Sequence, residues 1–371
     1  MKSKKILIIA PSKLIGTMSI VIELANFLKK NFSLELIYNQ NCNPKLDKRR
    51  DILYVPYNFP NTPIIQSIYL LLKLSYKKKI NEYQAIILVG QAATIAGFFL
   101  GLHKKKTYIL HDEIRIGLRK KLSKISINRS LLGNILENYL SSFYEYHIVP
   151  DKWRGRVQRK ISNYSKQNEF YLPSSLLKKR LKFENYSSSK SKNRNSLIFI
   201  GRPKPANIIK AIFKILKNSN YNFVIQARDA QSKETISNLI NEYEVEEDRL
   251  IFLENPVNFY DLDSIISRGD IGIVAFERDT VNSRVIGYSS GKLNRFLMNG
   301  LPCFCSDKNY MGWVEKNGLG ICGNIENIES SIEKIFFDYD TFSENAIRFY
   351  TKNLVYDDYA EKLRNHIKYY E

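Results

Sequence analysis

Histidine and cysteine are scarce in this chain, with four of each among 371 residues. No Cys-x-x-Cys occurs, and no spacing of His, Cys and acids matches a zinc site. Cys303 and Cys305 alternate within an apolar strand and face one side of it. They are expected, with Cys42 and Cys322, to be reduced and buried in a reducing compartment. Also missing is a Walker A loop, which excludes the simplest nucleotidase reading. An Asp-x-Asp is present at Asp261-Leu262-Asp263. It opens a helix with Asp261 as cap, so it reads as structural and no metal is expected.

Long apolar runs are missing too. Ile6 to Ala10 ends at Pro11, too short for a signal-peptide core. Ala85 to Leu102 contains Gly90, Gln91, Thr94 and Gly97. It reads as a strand (Ala85 to Val89) turning into a helix (Ala92 to Leu102), not as a membrane span. The expected location is cytoplasmic. Acids are outnumbered: 37 Asp and Glu against 57 Lys and Arg, a formal charge of +20. Such an excess points to an anionic partner.

What is present is ample for packed cores: 44% of residues are hydrophobic. The length suits two domains. In the first half, apolar strands at Ile6 to Ala10, Leu34 to Tyr38, Ile52 to Val55, Ala85 to Val89, Thr107 to Leu110 and His147 to Pro150 alternate with helical patterns. Ser19 to Lys30, Ile64 to Leu74, Ala92 to Leu102 and Leu131 to Tyr144 are the helices. Continuous apolar strands between helices predict a parallel sheet covered on both faces. The run from 183 to 195, with Ser187-Ser188-Ser189, is polar and reads as a linker. A second α/β run follows, with strands at Leu197 to Ile200, Asn222 to Ile225, Leu250 to Leu253, Ile271 to Ala275, Pro302 to Cys305 and Gly320 to Cys322. The expected division is therefore 1–182, a linker 183–195, a second domain 196–345, and C-terminal helices 346–371. Two such doubly wound domains are expected to face each other across a cleft at the carboxyl ends of their strands.

The most informative stretch runs from Asp270 to Ser306. Strand Ile271 to Phe276 enters a polar loop ending in Ser289-Ser290-Gly291-Lys292, where a helix begins. It ends at Asn299-Gly300, and a strand follows Pro302. A helix N-terminus offers backbone N–H groups and a positive dipole to phosphate. Small residues let a diphosphate approach, and Lys292 adds a charge.

This layout resembles the nucleotide-sugar half of GT-B glycosyltransferases, where a segment like N-K-L-x-E-Y-L-x-x-G-x-P is common. Lys292-Leu293-Asn294-Arg295-Phe296-Leu297-Met298-Asn299-Gly300-Leu301-Pro302 fits that frame without a gap. The resemblance implies two Rossmann-like domains and a last helix that packs back on the first. It also implies donor contacts from loops at strand ends: Gly201-Arg202-Pro203-Lys204, whose Arg202 and Lys204 would hold the diphosphate; Gln226-Ala227-Arg228-Asp229; and Asn255, Pro256 and Val257 on the nucleotide base. Glu277 would touch the sugar, and Ser289, Ser290, Gly291 and Lys292 the phosphates. On the first domain, Gly16-Thr17 would let donor and acceptor come close. His111 would contact the sugar, and Asp112 or Glu113 would be the base of an inverting reaction.

The chain departs from the pattern at Arg295, where the family's ribose-holding glutamate falls. An arginine cannot accept from hydroxyls. At the donor it would favour an acidic sugar or an additional phosphate. Glu277 has no second glutamate at the spacing of the family-4 retaining enzymes, so stereochemistry stays open.

Basic clusters concentrate in the first domain: Lys77-Lys78-Lys79, Lys104-Lys105-Lys106 and Arg115 to Arg129. In the last, Leu118, Leu122 and Ile125 share a helical face while Arg119, Lys120, Lys121 and Lys124 point away. Such a helix suits an anionic membrane. The expected function is metal-independent sugar transfer from a nucleotide-sugar, without further cofactor, to a glycan or lipid-linked glycan acceptor. It would take place at the inner face of the cytoplasmic membrane. Two rivals remain: a catalytically inactive scaffold of the same fold, motivated by Arg295, and a nucleic-acid-binding or nucleic-acid-modifying protein. The second is disfavoured because Tyr and Lys are not interleaved in a compact module.

Overall fold

The computed structural model describes residues 4–11, 19–39, 52–57, 62–75, 80–111, 114, 129–177, 194–201, 206–226, 230–253, 262–276, 284–306 and 308–369. The chain divides into two units. One joins Met1–Leu177 to Tyr356–Glu371, and the other is Lys178–Val355.

The first unit carries a seven-stranded parallel sheet. Its elements in order are β1 (Lys5–Ala10), α1 (Ser19–Leu28), β2 (Ser33–Asn39), β3 (Ile52–Tyr57), α2 (Pro63–Ser75), β4 (Tyr83–Val89), α3 (Gly90–Phe99), β5 (Thr107–Leu110), α4 (Arg129–Ser141), β6 (Tyr146–Val149), α5 (Lys152–Ser162) and β7 (Glu169–Tyr171). Strand order is β3-β2-β1-β4-β5-β6-β7. Ile and Leu fill β1 and β4 because both faces of these central strands are covered, and Ile6 to Ala10 and Ala85 to Val89 are all buried. α2, α3 and α4 pack side by side in one layer. Right-handed crossovers place α1 on the opposite face.

The second unit is built alike. Its elements are β8 (Ser196–Phe199), α6 (Ala206–Asn218), β9 (Asn222–Gln226), α7 (Ala230–Tyr243), β10 (Leu250–Leu253), α8 (Leu262–Ile266), β11 (Ile271–Val274), α9 (Gly291–Met298), β12 (Cys303–Cys305), α10 (Lys308–Lys316), β13 (Gly320–Cys322), α11 (Ile328–Phe337) and α12 (Tyr339–Asn353). The parallel order is β10-β9-β8-β11-β12-β13. Helix α6 shows why such segments settle on the sheet: Ile208, Ile209, Ile212, Phe213, Ile215 and Leu216 form one buried stripe at helical spacing. Cys303, Cys305 and Cys322 are free thiols in this core.

Helix α13 (Tyr356–Tyr369) returns to the first unit. Tyr356 Oη donates to Ile20 O at 2.9 Å, and Gln84 Nε2 donates to Ile367 O at 3.0 Å. The return starts at Tyr356, not at 346, because α12 runs unbroken to Asn353 inside the second unit. Likewise the second unit begins at Lys178, ahead of the expected linker at 183–195.

Candidate functional site

Both sheets reverse direction of strand addition at their centre, β1/β4 in one unit and β8/β11 in the other. Open α/β sheets bind ligands outside the carboxyl ends of the strands at such switch points.

In the second unit the strongest sequence candidates meet there. α9 follows β11, so its N-terminus opens at the carboxyl edge of the sheet. Ser290 caps it, its Oγ accepting from Leu293 N at 3.2 Å. No acidic side chain occupies the first turn to offset the helix dipole. Lys292 reaches across both switch-point strands. Its Nζ lies 4.2 Å from the ring centre of Phe199, which ends β8, and 5.5 Å from that of Phe276, just past β11. Two aromatic faces hold the ammonium by cation–π attraction. Gly201 follows β8 with φ +113°, a backbone state that side chains rarely adopt, and a Cβ there would stand 3.9 Å from Lys292 Nζ. A cation, a capped helix start and an open glycine backbone thus share one spot, a combination suited to phosphate.

The loop before α9 is tied down from behind. Asn294 Nδ2 donates to Tyr288 O at 2.7 Å, and the Tyr288 ring meets Trp313 and Phe349 edge-on. At the other end of α9, Gly300 takes φ +65° and Leu301 N closes the last turn on Phe296 O at 2.9 Å.

Arg295 is only 4% exposed. Its Nη1 donates to Asp263 Oδ1 on α8 at 2.9 Å, so the arginine is held by a neighbouring helix. Lys292 and Arg295 are three residues apart and so lie along one side of α9. Asp263, read from the sequence as part of a helix opening, has this partner besides.

In the first unit, His111 follows β5 and is buried, with its backbone N–H on Ile148 O. Its Nε2 lies 3.0 Å from Nδ1 of His147 on β6, whose own Nε2 lies 3.1 Å from Tyr144 O. A carbonyl only accepts, so His147 Nε2 carries the hydrogen. Burial pushes His147 down to about 3, so it is neutral and its Nδ1 is a bare acceptor. His111 Nε2–H therefore donates, which fixes the tautomer of neutral His111. Tyr164 stacks on His147 at 3.5 Å, and its hydroxyl donates to Glu169, which also pairs with Arg159 at 2.6 Å. Nothing in the sequence marked His147 as more than a strand residue.

Gly16, Thr17, Asp112, Glu113, Arg202, Lys204, Arg228, Asn255, Pro256, Val257 and Glu277 lie outside the described residues, as does the basic segment 115–128. The described candidates Ser289, Ser290, Gly291 and Lys292 come together at the β8/β11 switch point, with Arg295 one turn along the same helix. His111 belongs to the other unit.

No family model matches this sequence, and no curated protein does. Solved structures do. A glycosyltransferase from Rickettsia africae ESF-5 is 12% identical with TM-score 0.71, covering 100% of both chains. WaaG, a glycosyltransferase involved in lipopolysaccharide biosynthesis, is 11% identical with TM-score 0.69, over 98% of this chain and 100% of its own. The Methanocaldococcus jannaschii UDP-GlcNAc 2-epimerase, solved in complex with UDP-GlcNAc and UDP, is 13% identical with TM-score 0.57, over 94% of this chain and 100% of its own. The chain has the GT-B fold of two Rossmann-like domains.

Proposed function

We propose that this chain is a glycosyltransferase that moves a sugar from a nucleotide-sugar to a growing cell-surface glycan carried on a lipid, without a metal ion. The observation that carries this reading is Lys292 lying over Phe199 and beside Gly201 at the capped start of α9. In the reaction the bond from the anomeric carbon to the diphosphate breaks and its electrons go to the phosphate oxygen. Lys292 and the α9 dipole stabilise that charge where it develops, joined by Arg202 and Lys204. The acceptor hydroxyl oxygen forms the new bond. In an inverting reaction Asp112 or Glu113 takes its proton; in a retaining one His111 serves to hold the sugar. Glu277 binds sugar hydroxyls, and the loop at Asn255 to Val257 holds the base. WaaG's part in lipopolysaccharide biosynthesis supports an envelope glycan as acceptor.

A second reading, 2-epimerisation of a nucleotide-sugar, is motivated by the epimerase likeness. It uses the same phosphate site and differs in needing no glycan acceptor.

The test is a thermal-shift panel of UDP, GDP, CDP, CMP and dTDP on wild type and Lys292→Ala. One nucleotide should stabilise wild type by about 2.7 kcal/mol at roughly 100 times its Kd, and not the variant. No shift with any nucleotide in a folded protein would remove both readings. An altered nucleotide-sugar formed without acceptor selects the epimerase.

A further inference from the structure

Helices α2 and α4 turn apolar side chains outward, while the faces they bury mix apolar with polar residues, Gln66 and Ser67 on α2 and Glu137, Asn138 and Ser141 on α4. Leu70 and Leu74 of α2 and Leu140 of α4 are buried beneath them. On the outer side, Ile65, Ile68 and Leu72 recur at i, i+3 and i+7 along α2. Leu132, Ile135, Tyr139 and Phe143 continue that spacing along α4 and just past it. All seven are between 46% and 63% exposed. From Leu132 to Phe143 the one other exposed position is Ser142, so this outer face carries no charge. The two stripes belong to one layer, since both helices flank α3. Phe99, exposed at the end of α3, meets Phe98, which packs on Phe143, so an aromatic run joins α3 to α4.

An exposed apolar patch of this kind marks a contact with protein or membrane. Charge decides between them. Residues 1–177 with 356–371 hold 32 Lys and Arg against 15 Asp and Glu, so +17 of the chain's +20 lies in this unit. Lys73 and Lys104 are exposed within the same layer. A second copy would bring equal charge against this one. An anionic bilayer offers hydrocarbon for the stripes and opposite charge for the unit. No described helix is long and apolar enough to cross a membrane, so the contact lies along the surface.

We infer that the outer face of α2 and α4 is a membrane-docking surface, with its apolar stripes set into an anionic lipid leaflet. The inference deepens the membrane-side part of the proposed function and is independent of the sugar-transfer step. It places the contact on apolar side chains of the helix layer, distinct from the cationic segment 115–129 that the sequence suggested.

The experiment is co-sedimentation of the full chain with vesicles of phosphatidylglycerol and phosphatidylcholine, and with phosphatidylcholine alone. Wild type is compared with Leu132→Ser/Ile135→Ser and with Leu72→Ser. Wild type should bind the anionic vesicles and not the neutral ones. The double variant should bind roughly tenfold or more weakly, because both aliphatic contacts of α4 with the leaflet are gone. Both variants should keep the wild-type melting temperature, since these positions are exposed. Wild-type failure to bind, or a double variant that binds as wild type does, overturns the inference. So does a wild-type dimer that the double variant dissolves, which would assign the face to a second copy. The nucleotide panel is read on the same proteins. Vesicle binding without any nucleotide shift leaves this inference standing and removes the glycosyltransferase reading; the reverse result does the opposite.

Discussion

Arg295 Nη1 and Asp263 Oδ1 stand 2.9 Å apart where α9 meets α8, with the arginine side chain 5% exposed and the aspartate 31%. The arginine in the place of the resemblance's glutamate is thus part of an ion pair internal to the second unit. Restoring the glutamate by Arg295→Glu would set two carboxylates against each other. Removing one partner of a buried pair costs about 3–5 kcal/mol. Asp263 is a third exposed, so solvent screening lowers that to about 2–3 kcal/mol. Urea denaturation should show this loss, and the exchange Asp263→Arg/Arg295→Glu should recover a good part of it. An Arg295→Glu protein as stable as wild type would show that the pair is idle.

The α9 start is expected to respond to two small changes. Ser290→Ala removes the side chain that accepts from Leu293 N, at a cost of about 1 kcal/mol. Gly201→Ala forces a Cβ onto φ +113°, at a cost of about 1–3 kcal/mol, so the backbone beside Lys292 must shift to relieve it. Both should weaken nucleotide binding in the thermal-shift panel. If the affinity for nucleotide is unchanged in both, phosphate does not sit at this helix start.

His147 gives the fold a pH dependence of known sign. Its folded value is depressed to about 3, against an unfolded value near 6.5. Between these values the unfolded chain binds the extra proton, so stability rises with pH. The contribution is full above about 6.5 and is lost as pH falls toward 3. From pH 7 to pH 5 wild type should lose about 2 kcal/mol more than His147→Phe, at roughly 1.4 kcal/mol per pH unit. Denaturant midpoints of the two proteins at both pH values measure it. Parallel pH dependences would mean that His147 is reached by solvent.

The sheets were legible because their strands are short apolar runs between turns, and burial on both faces demands such runs. The helix start at Ser290-Gly291-Lys292 was legible for a related reason: cap, small residue and cation are contiguous in sequence. α5 and β7 were not expected. α5 buries Gly155, Gln158 and Ser162, and Gln158 Nε2 donates to Asn138 and to Ser162 at 3.3 and 2.9 Å. Its apolar residues Trp153, Val157 and Ile161 recur at helical spacing but are only half-buried, and the face it buries is polar. Its ends could have been read: Asp151 caps it at Trp153 N and Arg154 N, both 2.9 Å, and Asn163 closes it at φ +49°. β7 is three residues long and starts at Glu169, a charge held by Arg159, Tyr164 and Tyr171. The same limit hid the partners of Arg295 and His111. Asp263 and His147 come from other elements, and no local spacing announces a pair made by packing.

The chain leaves the first unit at Leu177 and re-enters it at Tyr356. During synthesis every strand of that unit emerges early, yet its α1 face stays uncovered while the whole second unit is made. Tyr356 N on Leu176 O at 3.3 Å, Tyr356 Oη on Ile20 O at 2.9 Å and Lys106 Nζ on His366 O at 2.7 Å form only when the last helix arrives. A ribosome that stops before Tyr356 therefore releases a finished second unit attached to an unfinished first. Newly made chains pass through a stage at which a chaperone or protease meets an open apolar face on the older half and a closed surface on the younger.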